Sequence, residues 1–464
     1  MKEYLFPKNV IASDGVTCEN LFLRQELQIG LNEPETTVFS QNDFVILDFG
    51  IELCGGVRIL SYAADNIPVR IRFGESMSEC CSNLGGDKNA TNDHSLRDFT
   101  VLLQNYSDMS FGQTGFRFVR LDFSGKVTIK SIVAVNQILK KKSRYSYTGN
   151  DEQIRAIYEA AKRTVDLCVS SGYVWDGVKR DRLVWIGDMA PEVLALTTLY
   201  GRLTEIERSI EYAKKQFPLP MWMNNMPAYS VWWIIILADY YERTGAKSFV
   251  LRQLPYLFGL LEQINGCVDE KGNLLYHSYF VDWPTHGQVD EKAGVRAINI
   301  YGMKRAVWLL RELDSDCALA ESILDRLLLI DIEVQKSKQV AGLKFFATEL
   351  SEIDKKRLVE GGARGMSTFM SYYILKAVAS FDKPRAVEMM KEYYAGMLDK
   401  GATTFWEDFD IEWIENSSRI DELPCDGERD IHGDFGAFCY RGFRHSLCHG
   451  WSAGVIAFME EEGL

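Results

Sequence analysis

Asp151-Glu152-Gln153-Ile154-Arg155-Ala156-Ile157-Tyr158-Glu159-Ala160-Ala161-Lys162-Arg163-Thr164-Val165-Asp166-Leu167-Cys168-Val169 is the stretch at which the chain changes character. Ile154, Ile157, Ala160, Ala161, Val165 and Leu167 follow a helical schedule, which predicts an amphipathic helix. Similar patterns recur at Pro191–Tyr200, Tyr229–Thr244, Ala297–Glu312, Ala318–Val334, Ser367–Ala379, Pro384–Leu398 and Cys448–Glu461. Long helices in succession, with few strands between them, predict a large all-α domain. Helix pairs wound into a closed toroid are one solution, and a solenoid is the other. No repeat of fixed period is visible, which weighs against the solenoid.

Upstream the reading is of strands. Phe44–Phe49 and Val69–Gly74 alternate or form short apolar runs bounded by Gly, Asn and Asp. Phe116-Arg117-Phe118-Val119-Arg120-Leu121-Asp122-Phe123 alternates apolar with charged residues, as a half-buried strand does. Several such segments without a helical pattern predict a β-sandwich. Lys140-Lys141-Lys142-Ser143-Arg144 reads as a solvated linker, and the domain boundary is expected there.

The chain has 464 residues, 47% hydrophobic and 25% charged, enough to bury large cores without disulfides or metals. Its net charge of −13 is spread along the chain, which argues against a nucleic-acid partner, because phosphate binding needs a concentrated basic surface. The ten cysteines form no CxxC pair and the six histidines show no ligand spacing, so structural zinc is not expected. Met1–Pro7 lacks the apolar core of a signal peptide, and the run Val231–Ile236 is too short to span a bilayer. A cytoplasmic protein without membrane contact is therefore expected; oligomeric state has no signature in the sequence.

Three segments carry chemistry. Trp175–Asp188 packs three aspartates, three cations and two tryptophans into fourteen residues with no amphipathic period. Tryptophan offers a plate for the C–H face of a pyranose, and carboxylates accept hydrogen bonds from its hydroxyls. Against this, Asp188 could cap the helix that follows, and Asp176 and Asp181 could pair with Arg180 and Arg182 on a surface. The second segment, Gly401–Asp410, sets Glu407 beside Trp406. Glycosidic cleavage needs two carboxyl groups flanking the anomeric carbon, and loops at one end of a helical toroid converge on its axis. In the third, Arg444–Gly454, His449 opens the last helix among small residues; a packed histidine satisfied within the helix start is the plain alternative.

Together these segments resemble glycoside hydrolase family 78, the α-L-rhamnosidases. Asp176, Arg180, Leu183, Trp185, Gly187 and Asp188 fall in register with the family's first motif, Thr403–Glu407 with its Thr-Thr-x-Trp-Glu segment, and Ser446–Gly454 with the start of its closing helix. Leu47-Asp48-Phe49-Gly50 and Arg72-Phe73-Gly74-Glu75 extend the resemblance more loosely to the first third. The resemblance implies a jelly-roll-like antiparallel β-sandwich over residues 1–142 and an (α/α)6 catalytic toroid, a six-hairpin glycosidase domain, over 143–464. It implies Glu407 as general base and puts Asp181 in the slot of the general acid. Asp176, Asp188 and His449 would hold the sugar together with Arg180 and Trp406, with Trp185 and Trp283 as stacking walls. Asp282-Trp283 resembles a family Asp-Trp pair, while Trp232 and Trp233 stand equally as a further wall or as core.

Two departures stand out. The family has Glu where this chain has Asp181, one methylene shorter, and Gly177-Val178 and Val184 replace Cys-Pro and Gly. Nothing follows the last helix, so the family's C-terminal β-domain is expected to be missing. The implied reaction is inverting hydrolysis of a terminal α-L-rhamnoside without metal or organic cofactor: Asp181, kept protonated, gives its proton to the glycosidic oxygen while Glu407 activates water. The alternatives are a related toroidal glycosidase or lyase acting on another sugar, and a carbohydrate-binding protein with a decayed site.

Overall fold

The computed structural model describes residues 2–30, 34–83, 96–438 and 441–464. Its first part is an antiparallel sheet of strands β1 (Lys2–Leu5), β2 (Asn9–Ser13), β3 (Thr37–Phe39), β4 (Phe44–Ala63), β5 (Ile67–Gly74), β6 (Asp98–Leu103), β7 (Ser107–Phe123) and β8 (Val127–Gln137), with a short helix α1 (Met77–Cys81) after β5. The strand order is β1-β8-β4-β7-β5-β6, with β2 on β4 and β3 on β8. The three segments read as strands lie in β4, β5 and β7. β4 pairs with β7 over nearly its whole length and with β8 from Gly55 onward, shifting register between Asp48 and Leu53. Gly55 makes the close approach possible: a Cβ there would lie 1.9 Å from the Val135 carbonyl oxygen. Inward side chains of β4, β5, β7 and β8, among them Leu47, Val57, Ile71, Phe116 and Ile132, share one buried core, so the sheet curls around a single interior.

Residues 138–151 carry no regular structure, and the helices begin with α2 (Glu152–Cys168). The Asp151 side chain caps it, accepting from the N–H groups of Gln153 (3.0 Å) and Ile154 (3.2 Å). A two-stranded hairpin, β9 (Val169–Ser170) and β10 (Tyr173–Val174), leads into the loop 175–188. Then follow α3 (Met189–Tyr200), α4 (Thr204–Gln216), α5 (Pro227–Thr244), α6 (Lys247–Leu251), α7 (Leu254–Asn265), α8 (Glu291–Glu312), α9 (Ala318–Leu327), α10 (Lys338–Ala347), α11 (Glu352–Val359), α12 (Ser371–Ala379), α13 (Lys383–Asp399) and α14 (Val455–Glu461). α3 packs on α5, α5 on α8, α8 on α10, α10 on α12, α12 on α14 and α14 on α3, a closed cycle around one hydrophobic core.

Three expected helices are shorter in the structure, and the one expected from Ala297 begins six residues earlier, at Glu291. Ala318–Val334 stops as a helix at Leu327, whose carbonyl accepts from Arg296 Nη1 (2.9 Å); further on, Asp290 gathers the N–H groups of Gln335, Lys336 and Ser337 at 2.7–2.8 Å before α10. The helix expected from Ser367 begins at Ser371. The one expected from Cys448 begins, after a 3-10 turn over Gly450–Gly454, at Val455. α10 escapes the periodicity because Lys338–Leu343 is buried on every side.

The sheet is tied to the helical part by polar contacts. Arg117 pairs with Asp48 (2.8 Å) and reaches the Gly401 carbonyl (3.2 Å), Glu52 N–H donates to Thr403 Oγ1 (2.8 Å), and Met77 N–H donates to the Ile420 carbonyl (2.8 Å). Among the described residues no helix is long and apolar enough to cross a membrane.

Candidate active site

The loop 175–188 is held at both ends by its own first aspartate. Asp176 Oδ1 accepts from Leu183 N–H (2.8 Å), and Asp176 N–H donates to the Leu183 carbonyl (3.1 Å). Between them Asp181 and Arg182 sit in the left-handed region, at φ 50° and 55°, a conformation non-glycine residues adopt at a cost. Gly177 forms an antiparallel bridge with His449, and Gly450 N–H donates to the Asp176 carbonyl (2.8 Å), which draws the start of the closing helix against this loop.

Arg180 is the hub. Its Nη1 donates to Asp181 Oδ2 (3.0 Å), its Nη2 donates to Glu407 Oε1, and its Nε donates to the Arg444 carbonyl (2.9 Å). One guanidinium thus bridges the two carboxylates to which the motif resemblance assigns the chemistry, 227 positions apart for Glu407. Glu407 is fixed further: Oε2 accepts from Ser446 N–H (3.0 Å), and its carbonyl accepts from Thr368 Oγ1 (2.6 Å) and Trp451 Nε1 (2.9 Å). His449 Nε2 lies 3.9 Å from Asp176, 3.8 Å from Asp188 and 3.7 Å from Glu407.

These groups line one cavity of about 340 Å³, walled by Trp185, Tyr229, Phe280, Trp283 and Trp451. Sequence reading had not assigned Tyr229, Asn224, Phe280, Arg444 or Trp451 to it. Tyr229 hydroxyl donates to Asp188 Oδ1 (2.7 Å). Buried Trp185 Nε1, Asn224 Oδ1 and His449 Nδ1 have no hydrogen-bond partner among the described residues. A larger depression of about 650 Å³, lined by Tyr279, Lys292, Asp331 and Glu333 among others, has one aromatic side chain in its lining and no comparable convergence of acids.

Burial dominates the protonation of the site. It holds Asp176 well above the usual carboxylate range, reinforced by Asp181 and Asp188. Asp188 is pushed up to about 8 by burial, against the opposing Tyr229 hydrogen bond. Glu407 is raised by burial and by Asp181, while Arg180 and the Ser446 N–H pull it back toward the ionised form. Burial and Arg180 keep His449 well below its ordinary value, so its ring is neutral at physiological pH. The result is a set of buried acids whose protonated forms are favoured, with Arg180 and the Ser446 N–H opposing that at Glu407, around a hollow of about 340 Å³.

Several expectations are corrected. Trp232 and Trp233 are not walls: both are fully buried in α5, Trp232 against Phe369 and Tyr373 and Trp233 against Tyr256. Trp406 likewise packs inward, edge-on to Phe409 and His445. Asp282 does not line the cavity but accepts from Thr285 N–H (3.0 Å) and Ser367 Oγ (2.6 Å) behind it. Asp188 stands before α3 without capping it, its carboxylate being turned to Tyr229. The expected pairing of Asp181 with Arg180 is present, with Arg180 buried and Asp181 partly exposed; Asp176 faces His449, and Arg182 donates to the Gln113 carbonyl and lies over Trp175.

No protein-family model and no curated relative matches the sequence. Solved structures match its fold. A rhamnosidase from Klebsiella oxytoca with rhamnose bound aligns over 100% of this chain and 96% of its own, with TM-score 0.76 at 20% identity. A GH78 family rhamnosidase of Bacillus sp. GL1 aligns over 95% of this chain with TM-score 0.73 at 18% identity, and a Streptomyces avermitilis α-L-rhamnosidase complexed with L-rhamnose over 98% with TM-score 0.66 at 16%. The chain spans 48% and 43% of these last two. The chain therefore has the fold of the α-L-rhamnosidase structures, the fold that its three motifs led one to expect.

Proposed function

We propose that the protein is a glycoside hydrolase that releases terminal α-L-rhamnose with inversion, its sheet a jelly-roll-like β-sandwich domain over 1–142 and its closed helix cycle an (α/α)6 toroid over 143–464. The observation that carries this reading is an aromatic-walled cavity of about 340 Å³ into which distant segments bring Asp176, Arg180, Asp181, Asp188, Glu407 and His449. A cavity of that size with convergent polar groups suits one monosaccharide. The neighbours of Klebsiella oxytoca and Streptomyces avermitilis carry rhamnose and L-rhamnose, which supports that sugar here.

In this mechanism Glu407 is the base that takes a proton from the attacking water. Arg180 and the Ser446 N–H favour its carboxylate form and oppose the burial that raises it. Asp181 is the acid: its side chain is 19% exposed, against 4% for Glu407, which suits the cavity mouth where the leaving group departs. To protonate the glycosidic oxygen it turns from the guanidinium; its backbone, like that of Arg182, is left-handed. Arg180 lies between the two carboxyls with a hydrogen bond to each; inversion uses a carboxyl separation of about 6.5–9.5 Å, which leaves room for the attacking water. Asp176, Asp188, His449 and Trp185 Nε1 receive the sugar hydroxyls, and Trp185 and Trp283 take its apolar face. Two carboxyl groups and water suffice for this chemistry.

The hold of Arg180 on Asp181 favours one second reading, a sugar-binding protein with a decayed acid. A panel of aryl glycosides separates the two. The hydrolase releases the aryl alcohol from the α-L-rhamnoside, and Glu407→Gln abolishes release with the fold intact. Rhamnose binding in calorimetry without release from any glycoside is the outcome of the decayed site, and wild-type turnover by Glu407→Gln removes that residue from the role.

A further inference from the structure

Behind the cavity, where sheet meets helices, lies a buried charged cluster that the reaction as described does not use. Glu75 follows β5, Glu79 lies in α1, and Arg97 precedes β6; from the helical side come Lys179, His432 and His445. Glu75, Glu79 and His432 offer ligand atoms within 4.8 Å of one another, the spacing of a metal site. The space is already taken by a cation of the chain. Lys179 Nζ stands 3.0 Å from Glu79, 3.4 Å from Glu75 and 3.3 Å from His432 Nε2, and donates to the His445 carbonyl (2.7 Å). Arg97 completes the balance on Glu79 at 3.0 Å.

Glu75 does more than neutralise Lys179. Its Oε2 accepts from the backbone N–H of Leu447 (2.6 Å), and its Oε1 accepts from Ser446 Oγ (3.3 Å), across 372 and 371 positions of sequence. The same Ser446 donates its N–H to Glu407 Oε2 (3.0 Å) and accepts the Glu407 N–H through its carbonyl (2.9 Å). Lys179, the other partner of Glu75, immediately precedes Arg180, the guanidinium bridging Asp181 and Glu407. A single carboxylate delivered by the sheet therefore grips both strings of backbone that aim the proposed reacting groups.

We propose that Glu75 is a positioning residue: its carboxylate sets the Ser446–Leu447 backbone, and through it the orientation of the Glu407 carboxylate. This rests on Glu407 acting as the base. The sheet then completes the active site and is more than a brace for the helices. Displacing a reacting group by about 1 Å can cost on the order of 10²-fold in rate, and the loss falls on turnover because Glu75 touches no substrate.

The test pairs Glu75→Ala with Glu75→Gln, each checked for fold by circular dichroism. Glutamine can keep an oxygen on the Leu447 N–H but gives Lys179 no charge. For Glu75→Ala the expected result is a kcat lower by about 10²-fold with KM within about threefold of wild type, and for Glu75→Gln a partial rescue to a loss of about three- to tenfold. A second readout needs no turnover: the Trp451 indole N–H, bonded to the Glu407 carbonyl, should shift in the nitrogen–proton NMR spectrum of either variant. A folded Glu75→Ala with wild-type kcat overturns the proposal, as does an unmoved Trp451 resonance; if Glu75→Ala does not fold, the same two results in Glu75→Gln decide. A wild type inert on every glycoside refutes the hydrolase reading instead, and the indole resonance alone then judges Glu75.

Discussion

Asp181→Asn isolates the proton that the proposed acid supplies. The amide oxygen can still accept from Arg180 Nη1, where Asp181 Oδ2 accepts now at 3.0 Å, so the guanidinium keeps its bridge to Glu407. What disappears is a transferable proton at the mouth of the cavity, a contribution of about 10²–10⁴ in rate, or roughly 3–5 kcal/mol of barrier. That contribution is demanded in full by a poor leaving group and hardly at all by an activated one. The variant should therefore lose about 10²–10⁴ in kcat/KM on an alkyl rhamnoside and much less on a dinitrophenyl rhamnoside. Steady-state kinetics on both substrates read the difference. Equal losses on the two leaving groups would refute the role of Asp181.

Two further expectations separate wall from core and bury a proton. Trp283→Ala should raise KM about tenfold with a smaller change in kcat, the loss of one stacking face, whereas Trp232→Phe should leave KM unchanged and lower stability by about 1–3 kcal/mol in urea unfolding. Glu192, fully buried in α3 with both carboxylate oxygens unpartnered among the described residues, is held well above 4.5 by burial. The native state then keeps a proton that the unfolded chain gives up above about pH 4.5, so this group's stability is complete below that pH and falls as pH rises toward its folded value. Glu192→Gln should remove up to about 1.4 kcal/mol per pH unit of that slope, and a stability difference from wild type that is the same at pH 5 and pH 8 would contradict it.

The parts of the site legible in the sequence are those written in contiguous chain. Asp176, Arg180, Asp181 and Asp188 lie in one loop, Glu407 and His449 each in a short motif, and local composition marks all three segments. For Trp232 and Trp233 the sequence leaves wall and core open, and it sets Trp406 at the sugar, because a tryptophan beside the right residue is the same letter whether it faces a cavity or a core; only packing against Phe369, Tyr256 or Phe409 decides. Asp282 was drawn in by its neighbour Trp283, though the two point to different sides of the loop. Glu75 could not be read as a partner of Leu447 at all, since their contact exists only once sheet and helices have docked. Tyr229 was read as the start of a helix, correctly as to periodicity, but its hydroxyl's place on Asp188 depends on how α5 packs against α3. In the fold, amphipathic α2 was plain, whereas α10 has no exposed face to give it a period.

The central claim, two acids working across one sugar in a single displacement, is tested most directly by following hydrolysis of an aryl α-L-rhamnoside by proton NMR from the first minutes. The account requires β-rhamnose to form first and the α anomer to grow in by mutarotation. First release of the α anomer, or no release at all, would contradict it.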